Sequence, residues 1–599
     1  MITSNEYDII VVGCGNAGSV LAARLSEVPA LKVLVLEAGG DHDGNPMVHV
    51  PAGGGALWSD ASINWGYKTV PQAGYEGRLI AHHRGKGLGG TTLLNLNCVT
   101  FPDRGSIDNF ALVGNQGWTY DELQPYYQKF HTFHEPTTEA IDCLGLDYAD
   151  PSVHGRSGPI QVSYGNYFSD LTRAWSRTMK ALGRKSTADP LSGDALGAVH
   201  APGSVNPDKF TRSSAAAGYL TGDVRQRKNL HIMTTVRVER VLLEAESGSV
   251  TARGVRYTTD DGQSHEVHGR EVILSGGVFN SPQLLELSGI GSAKILRGLQ
   301  IEPIVDLPEV GENLQDHALV AISLESTVPT MDSFRDKANM GAAFQEYTEK
   351  ASGPFTSSTF NQAYLPCMDL ISPESQNELK ILLDDHAKSD SPGLQKQHDI
   401  VRRIVEDPNQ SSIQYLCAPV QARADQNSRP VSAEARLADY FTLYSSLSHP
   451  FSRGNVHIHS KNISDPPLID PKYFSNPADR EILARHLRYL PTIYKTQPLA
   501  GLVKPNGRTI PTDLNLDSLE YTRKLVDTGF TTYHPCGTCA MMPREDGGVV
   551  DSHLRVYGVR GLRVVDASIF PLIPRGNIQT SVYAVAEKAA DIIKADFVR

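Results

Sequence analysis

YDIIVVGCGNAG at residues 7–18 and KVLVLEAG at residues 32–39 together predict a βαβ unit. The apolar run Ile9–Val12 has the length and branching of a buried parallel strand. Val33–Leu36 has the same character and predicts the neighbouring strand. The first strand stops at three glycines in G-x-G-x-x-G spacing, which are Gly13, Gly15 and Gly18.

This glycine pattern is typical of a dinucleotide-binding turn. Gly13 allows the tight turn, Gly15 lets a pyrophosphate approach the backbone, and Gly18 lets the following helix lie close to the strand. The helix predicted from about Asn16 through Leu25 directs its unpaired N–H groups at that pyrophosphate. Glu37, at the end of the second strand, is placed to accept hydrogen bonds from ribose hydroxyls. A glycine-rich turn without a ligand is the alternative, and the unit does not distinguish NAD from FAD.

Composition describes an ordinary globular protein of several domain-sized units. The chain has 599 residues, of which 40% are hydrophobic and 21% charged. With 56 Lys and Arg against 67 Asp and Glu, the net charge of -11 argues against a nucleic-acid-binding surface. The expected partners are therefore small molecules, and the oligomeric state is left open.

The sequence predicts a cytosolic protein. The first strand begins at about Tyr7 and the first basic residue is Arg24, which leaves no room for a secretory signal. No apolar run approaches the ~18 residues of a membrane span, so no membrane contact is expected. The chain ends in Asp-Phe-Val-Arg rather than a peroxisomal Ser-Lys-Leu tail. Seven scattered cysteines fit reduced thiols better than a disulfide framework.

Several later stretches add local predictions. Residues 83–97 include four glycines within positions 85–90. This density indicates a backbone that turns repeatedly or passes close to another group. Residues 39–56 are predicted to be a loop, and Ser281 is predicted to cap a helix with Pro282 at its first position. The polar stretch 368–430 predicts a surface insertion or lid.

The block around His534 carries a histidine held between Pro535 and Gly537. By itself, such a His-Pro pair is more often a turn than a catalyst. Cys536 and Cys539 form a C-x-x-C beside it, but neither a redox fold nor four metal ligands are visible in the sequence. We therefore predict no metal site and no function for this cysteine pair.

Taken together, the ordered motifs resemble those of the glucose-methanol-choline (GMC) oxidoreductase family, over essentially the whole chain. The blocks that carry the resemblance are the N-terminal fingerprint, Gly85–Thr92, Gly276–Leu285, Gly311–His317, His449–Gly454, His534–Thr538 and Asp566–Ser568. The resemblance implies an α/β FAD-binding domain, with a Rossmann-like βαβ unit and an additional antiparallel sheet. It also implies an α+β substrate domain built on a mostly antiparallel sheet.

The resemblance further divides the chain into segments. The FAD-binding domain is expected from residues 1–160, 203–312 and 540–599. The substrate domain is expected from residues 161–202 and 313–539, with the insertion near 368–430.

By the same resemblance, FAD is the expected cofactor. The residues it implies as contacts, together with the fingerprint positions, are Gly13, Gly15, Asn16, Ala17, Gly18, Glu37, Ala38, Gly90, Thr91, Asn95, Leu96, Asn97, Cys98, Val236, Asp566, Ala567, Asn577 and Ile578. Some relatives attach FAD through a histidine in the glycine-rich block. The matching position here is Leu94, which has no nucleophile, so non-covalent FAD is expected.

The family chemistry implies oxidation of an alcohol, with O2 or another compound as the electron acceptor. An alcohol must lose its hydroxyl proton while its α-carbon gives a hydride to flavin N5, which needs a base with a pKa near neutrality beside the ring. His534 matches that base, and Asn577 matches a second position that orients the hydroxyl. An FAD-containing lyase or cyclase of the same fold is the alternative. A non-catalytic flavoprotein and an NAD-dependent dehydrogenase fit the motifs less well.

Overall fold

The computed structural model describes residues 6–246, 248–357, 360–422 and 438–598. Within these ranges the strands are β1 Glu6–Val12, β2 Val33–Leu36, β3 Tyr67–Lys68, β4 Ala81–His82, β5 His131–Phe133, β6 Ile160–Val162, β7 Gly197–Ala201, β8 Val205–Asn206, β9 Thr211–Arg212, β10 Leu230–Met233, β11 Val236–Glu246, β12 Ser249–Thr259, β13 Ser264–Leu274, β14 Ile290–Gly291, β15 Val305–Asp306, β16 Ala318–Glu325, β17 Phe360–Leu365, β18 Ile413–Ala418, β19 Tyr440–Leu447, β20 Asn455–His457, β21 Leu468–Asp470, β22 Thr509–Ile510, β23 Phe530–Thr531, β24 Val559–Arg560 and β25 Leu562–Val564.

The α-helices of the same ranges are α1 Asn16–Leu25, α2 Pro46–His49, α3 Arg104–Leu112, α4 Tyr120–Lys129, α5 Thr138–Leu144, α6 Asp170–Ala181, α7 Ala215–Tyr219, α8 Gly222–Arg225, α9 Gly277–Leu287, α10 Ala293–Gly298, α11 Lys337–Lys350, α12 Pro373–His386, α13 Pro392–Glu406, α14 Pro477–Leu487, α15 Leu490–Tyr494, α16 Leu519–Val526 and α17 Gln579–Val598. None of the helices in the described ranges is long and apolar enough to cross a membrane.

The first large sheet confirms the predicted βαβ unit and places it beside two distant parts of the chain. Strands β10, β2, β1 and β13 lie side by side and run parallel, and β25 pairs with the end of β13 in the same sense. The long strands β11, β12 and β13 continue the sheet with antiparallel pairing. Because β1, β13 and β25 come from three regions of the sequence, the edge at which nucleotide binding is predicted is assembled from all three.

The second large sheet is antiparallel, as the sequence predicts for the substrate domain. Its path runs β22-β16-β19-β18-β17-β7, with β23 also paired to β16. Helices α12, α13 and α14 supply buried apolar side chains to the core on this sheet, while α1 and α17 pack in the core of the first sheet. The two sheets thus bury separate cores, which confirms the predicted two-part architecture. The exact segment boundaries stay a prediction.

Helix α9 corrects one local prediction. It begins at Gly277, so Ser281 and Pro282 lie inside the helix rather than at its start. The Ser281 hydroxyl donates to the carboxylate of Asp566, 2.6 Å away, instead of capping the helix. The Ser281 hydroxyl therefore bonds to a residue distant in sequence instead of capping the helix, which is the local role that the sequence pattern favours.

The prediction of a surface insertion at 368–430 is wrong for its described part. Strand β18 lies in the interior of the antiparallel sheet, between β17 and β19. Ile400, Val401 and Ile404 of α13 are buried in the core of that sheet. Residues 423–430 lie outside the described residues. The predicted loop at 39–56 also contains structure, namely α2 and the start of a 3-10 helix, Pro51–Ser59.

The turn after β1 gives a stability prediction. Gly13 has φ +96, and a Cβ there would lie 2.5 Å from the carbonyl oxygen of Ser275. We expect Gly13→Ala to lower the free energy of unfolding by about 1–3 kcal/mol, which is the usual cost of overpacking. Gly44→Ala is the matched control, because a Cβ there meets nothing within 4 Å. Equal denaturant midpoints for the two variants would contradict this account.

Candidate active site

A single large cavity of about 2760 Å³ extends between the two sheets, from the turn after β1 to the block around His534. The predicted residues that line it are Gly13, Gly15, Asn16, Ala17, Glu37, Ala38, Gly90, Thr91, Asn95, Leu96, Cys98, Val236, His534, Asp566, Ala567, Asn577 and Ile578. Residues more than 500 positions apart in sequence therefore share one wall.

Two of the predicted contacts, Gly18 and Asn97, are not part of the lining. A Cβ on Gly18 would lie 2.0 Å from the carbonyl oxygen of Gly13, so this glycine permits the close helix–strand contact that the fingerprint predicts. Asn97 is turned away, because its amide donates to Pro51 and its side-chain oxygen accepts from Arg212. Asn97 therefore supports the cavity wall from behind.

The end of the cavity at α1 fits a pyrophosphate. Gly15 is the N-cap of α1 and offers no side chain to the free N–H groups of the first turn, which also carries no acidic residue. Gly15 and Gly90 face each other so closely that a Cβ on Gly90 would lie 2.6 Å from the Gly15 Cα. Two polar atoms on this wall, Asn16 Oδ1 and Gln579 Nε2, are buried and have no hydrogen-bond partner among the described residues. Such atoms fit a polar ligand that supplies their hydrogen bonds.

Glu37 lies where the fingerprint predicts, and the fold holds it firmly. Its carboxylate accepts the backbone N–H groups of Cys14 at 2.7 Å, Gly39 at 2.8 Å and Gly87 at 3.1 Å. Burial raises the pKa of Glu37, and these three donors oppose the rise. The residue thus joins the first turn to the glycine-rich block while it lines the cavity.

Asp566 plays a similar role after β25, at the same carboxyl edge of the sheet. Its carboxylate accepts from Gly277 N at 2.8 Å, from Ser281 Oγ at 2.6 Å and from Ser568 N at 2.7 Å. Burial raises its pKa, and the Ser281 hydroxyl opposes that rise most. It therefore fastens the C-terminal segment to the start of α9.

His534 and Asn577 meet on the cavity wall, as the predicted catalytic pair requires. Asn577 Nδ2 donates to His534 Nε2 over 2.9 Å. Burial lowers the pKa of His534 to about 3, and the positive charge of Arg84 adds to this shift. The imidazole is consequently neutral at physiological pH, with a lone pair on Nε2 next to an amide donor. The near-neutral pKa expected for this histidine is therefore wrong, because the sequence does not reveal how deeply the ring is buried.

The sequence motifs gave no role to three residues that surround this pair. Arg84 lines the cavity and donates to the backbone carbonyl of Tyr533. His317 contacts His534 through the two Nδ1 atoms at 3.0 Å, and Gln362 lies 3.5 Å from Asn577 Oδ1. His317 ends the Gly311–His317 block, so its position in a motif was the available signal, whereas Gln362 sits on a strand without one.

Comparison with known proteins agrees with this geometry. The sequence profiles of GMC oxidoreductase match residues 7–319 and 450–586. The chain belongs to the GMC oxidoreductase family. A dehydrogenase of Armillaria gallica is 32% identical over 618 residues, covering 99% of this chain and 94% of the relative.

Solved structures place this GMC oxidoreductase among FAD enzymes. The FAD-dependent oxidoreductase from Chaetomium thermophilum matches with a TM-score of 0.86 and 29% identity, covering 99% of both chains. A fungal aryl-alcohol oxidase matches with a TM-score of 0.84 and 26% identity over 100% of both chains. FAD is therefore the cofactor that the family uses, and the cavity fits it.

The cysteines of the C-x-x-C lie in the core near this site. Cys536 and Cys539 are free and buried, and burial raises the pKa of both thiols well above the ordinary value. Thiols of this kind are poor nucleophiles. Within the described ranges, no cluster of His, Cys, Asp and Glu could hold a metal ion.

Glu37 allows a test of the nucleotide end of the cavity. In Glu37→Gln, the amide NH₂ must face one of three backbone N–H donors, which leaves buried donors unpaired. We expect FAD to bind more weakly by about 10- to 100-fold, from a cost of about 1–3 kcal/mol. The measurement is fluorescence titration of FAD into the apoprotein. Glu27→Gln makes the same change at the surface of the same unit, and equal affinities in the two variants would refute this role.

Proposed function

We propose that this GMC oxidoreductase oxidises an alcohol to an aldehyde or ketone with FAD. The observation that carries the proposal is the contact of a neutral His534 with Asn577 on the wall of a cavity that continues to the Gly13 turn. A neutral base can take the proton of a hydroxyl group, and a neighbouring amide can donate a hydrogen bond to its oxygen. The two side chains together therefore suit the deprotonation of one alcohol.

In this scheme each residue has one task. His534 Nε2 takes the proton as the substrate O–H bond breaks, and the Asn577 amide donates a hydrogen bond to the substrate oxygen. Bound FAD supplies the acceptor for the hydride that leaves the α-carbon as the C=O bond forms. The amide of Asn577 can donate a hydrogen bond but cannot take up the proton. His534 is therefore the only base of the pair.

The relatives support this reaction class. The fungal aryl-alcohol oxidase is named for alcohol oxidation, and the Armillaria protein is named a dehydrogenase. The proposal leaves O2 and other compounds as candidate electron acceptors, and a cytosolic location stays a prediction.

We also propose that FAD is held without a covalent bond. Leu94 lines the cavity at the position that carries the linking histidine in some relatives, and its side chain is hydrocarbon. The thiol of Cys98 on the same wall has its pKa raised far above the ordinary value by burial, so it is not a nucleophile.

The walls beyond the predicted flavin contacts are largely apolar and favour a substrate with an apolar body. Aromatic side chains on these walls are Phe334, Phe355, Phe360, Tyr444, Phe530 and Tyr533. The stretches 355–365, 416–423 and 439–447 all contribute lining residues. Arg423 lies outside the described residues.

Anaerobic titration with a panel of aliphatic, aromatic and polyol alcohols tests the reaction. We expect at least one alcohol to bleach the flavin spectrum of the wild type. His534→Ala should keep the bound flavin and lower the rate of bleaching by about 10²–10⁴-fold, the usual contribution of a general base. A loss smaller than about 10-fold would remove His534 from the role. A flavin that dithionite bleaches but no alcohol does would favour the lyase or cyclase alternative.

The low pKa of His534 predicts the pH dependence. An imidazole with a pKa of about 3 stays neutral as the pH falls from 7 to 5, so the rate of flavin reduction should stay nearly constant. With the ordinary pKa of about 6.5, the fraction of neutral base and hence the rate would fall about 25-fold over the same range. Stopped-flow reduction at low substrate concentration measures this. A fall of that size, with the flavin still bound, would show that His534 titrates normally.

A further inference from the structure

The side chains around His534 form a directed chain of hydrogen bonds that ends at a backbone carbonyl. His317 Nε2 lies 2.9 Å from the carbonyl oxygen of Ser448. A carbonyl oxygen only accepts, so Nε2 of His317 must carry the proton. Burial lowers the pKa of His317 well below the ordinary value, so this histidine is neutral and its Nδ1 has only a lone pair.

The tautomer of His317 dictates that of His534. The two Nδ1 atoms are 3.0 Å apart, and since His317 offers a lone pair, His534 must donate from its own Nδ1. Thr532 Oγ1, 2.8 Å from the same nitrogen, can accept from it as well. The proton of neutral His534 is therefore on Nδ1, which leaves the lone pair on Nε2.

The hydrogen bonds on the Nε2 side of His534 run in the same direction as those on the Nδ1 side. Asn577 Nδ2 donates to His534 Nε2, and Asn577 Oδ1 faces Gln362 Nε2 at 3.5 Å. Gln362 Oε1 accepts from Tyr364, whose hydroxyl accepts in turn from Gln414 Nε2 at 3.0 Å. In the whole chain, from Gln414 to the carbonyl of Ser448, each group donates to the next one. The Asn577 amide is therefore oriented with its NH₂ group toward His534, which agrees with a lone pair on His534 Nε2.

We propose that His317 is a positioning residue, which holds the catalytic His534 in the one tautomer that presents a basic Nε2 to the substrate. The proposal rests on the function proposed above. His317 does not line the cavity, so it acts through His534 alone. The alternative tautomer would place an N–H where the substrate hydroxyl must donate, and His534 could not accept its proton.

Three variants separate this role from simple structural support. His317→Leu removes one of the two acceptors near His534 Nδ1 and leaves only Thr532 Oγ1, so the preference of His534 for one tautomer weakens. His317→Asn restores an acceptor, because Asn Oδ1 occupies nearly the place of His Nδ1. His486→Leu is the control, since His486 of α14 is equally buried between two backbone carbonyls but is not part of the cavity lining.

The first readout is independent of turnover. In the FAD-bound protein labelled with ¹⁵N-histidine, the signals of His534 are assigned by their loss in His534→Gln. We expect a protonated Nδ1 and a bare Nε2 in the wild type, in His317→Asn and in His486→Leu. His317→Leu should show a measurable fraction of the Nε2-protonated form, because Asn577 and Thr532 alone then oppose it. A wild-type His534 protonated on Nε2 would overturn the proposal, whatever its catalytic activity.

The second readout is the rate of flavin reduction by the best alcohol. We expect a loss of about 10- to 10⁴-fold for His317→Leu, the upper limit being that of a wrong histidine tautomer in a catalytic triad. His317→Asn should recover most of the rate, and His486→Leu should keep it. Unchanged tautomer and rate in His317→Leu would refute the role. If His317→Leu does not fold, a wild-type tautomer with low activity in His317→Asn would refute it.

These readouts also separate the two proposals. If no alcohol reduces the wild-type flavin, the proposed function fails while the ¹⁵N spectrum still decides the tautomer. If alcohols reduce the flavin but His534 is protonated on Nε2, the function stands and the positioning role fails.

Discussion

The carboxyl ends of β2, β1, β13 and β25 lie at one edge of the first sheet, and the cofactor site depends on this alignment. Parallel pairing places the residue after each strand beside the residue after its neighbour. Gly13 and Glu37 thus reach the same wall as Asp566, although the last of these lies near the C-terminus. Glu37 and Asp566 then fasten the loops with carboxylate-to-backbone hydrogen bonds.

On the substrate side, a buried carboxylate again holds the backbone in place, and here it belongs to Asp316. Asp316 is fully buried and accepts from the hydroxyl groups of Tyr473 and Thr531 and from the backbone N–H of His534. Burial raises the pKa of Asp316, while Thr531 and Tyr473 act against the rise. A carboxylate in this position holds the backbone of His534, the proposed base, so that its side chain stays on the cavity wall.

Local sequence patterns predicted those parts of the protein that local interactions decide. The βαβ unit is confirmed, because strand periodicity and the glycine turn depend on neighbouring residues. The start of α9 was missed because the Ser281 hydroxyl is used by Asp566, 285 residues away. The polar composition of 368–430 hid a strand that lies inside a sheet. The cavity residues came from motifs, whereas the His317 contact with His534 joins two motifs and could be recognised only once both were folded.

The strand order also governs when the protein can acquire its cofactor. β25 and the residues after it line the same cavity as Gly15 but follow β1 by more than 500 residues. A nascent polypeptide that has not yet reached β25 therefore possesses the N-terminal fingerprint but not the enclosing surface. The cavity is complete only after this distant segment has been synthesised and has paired with β13.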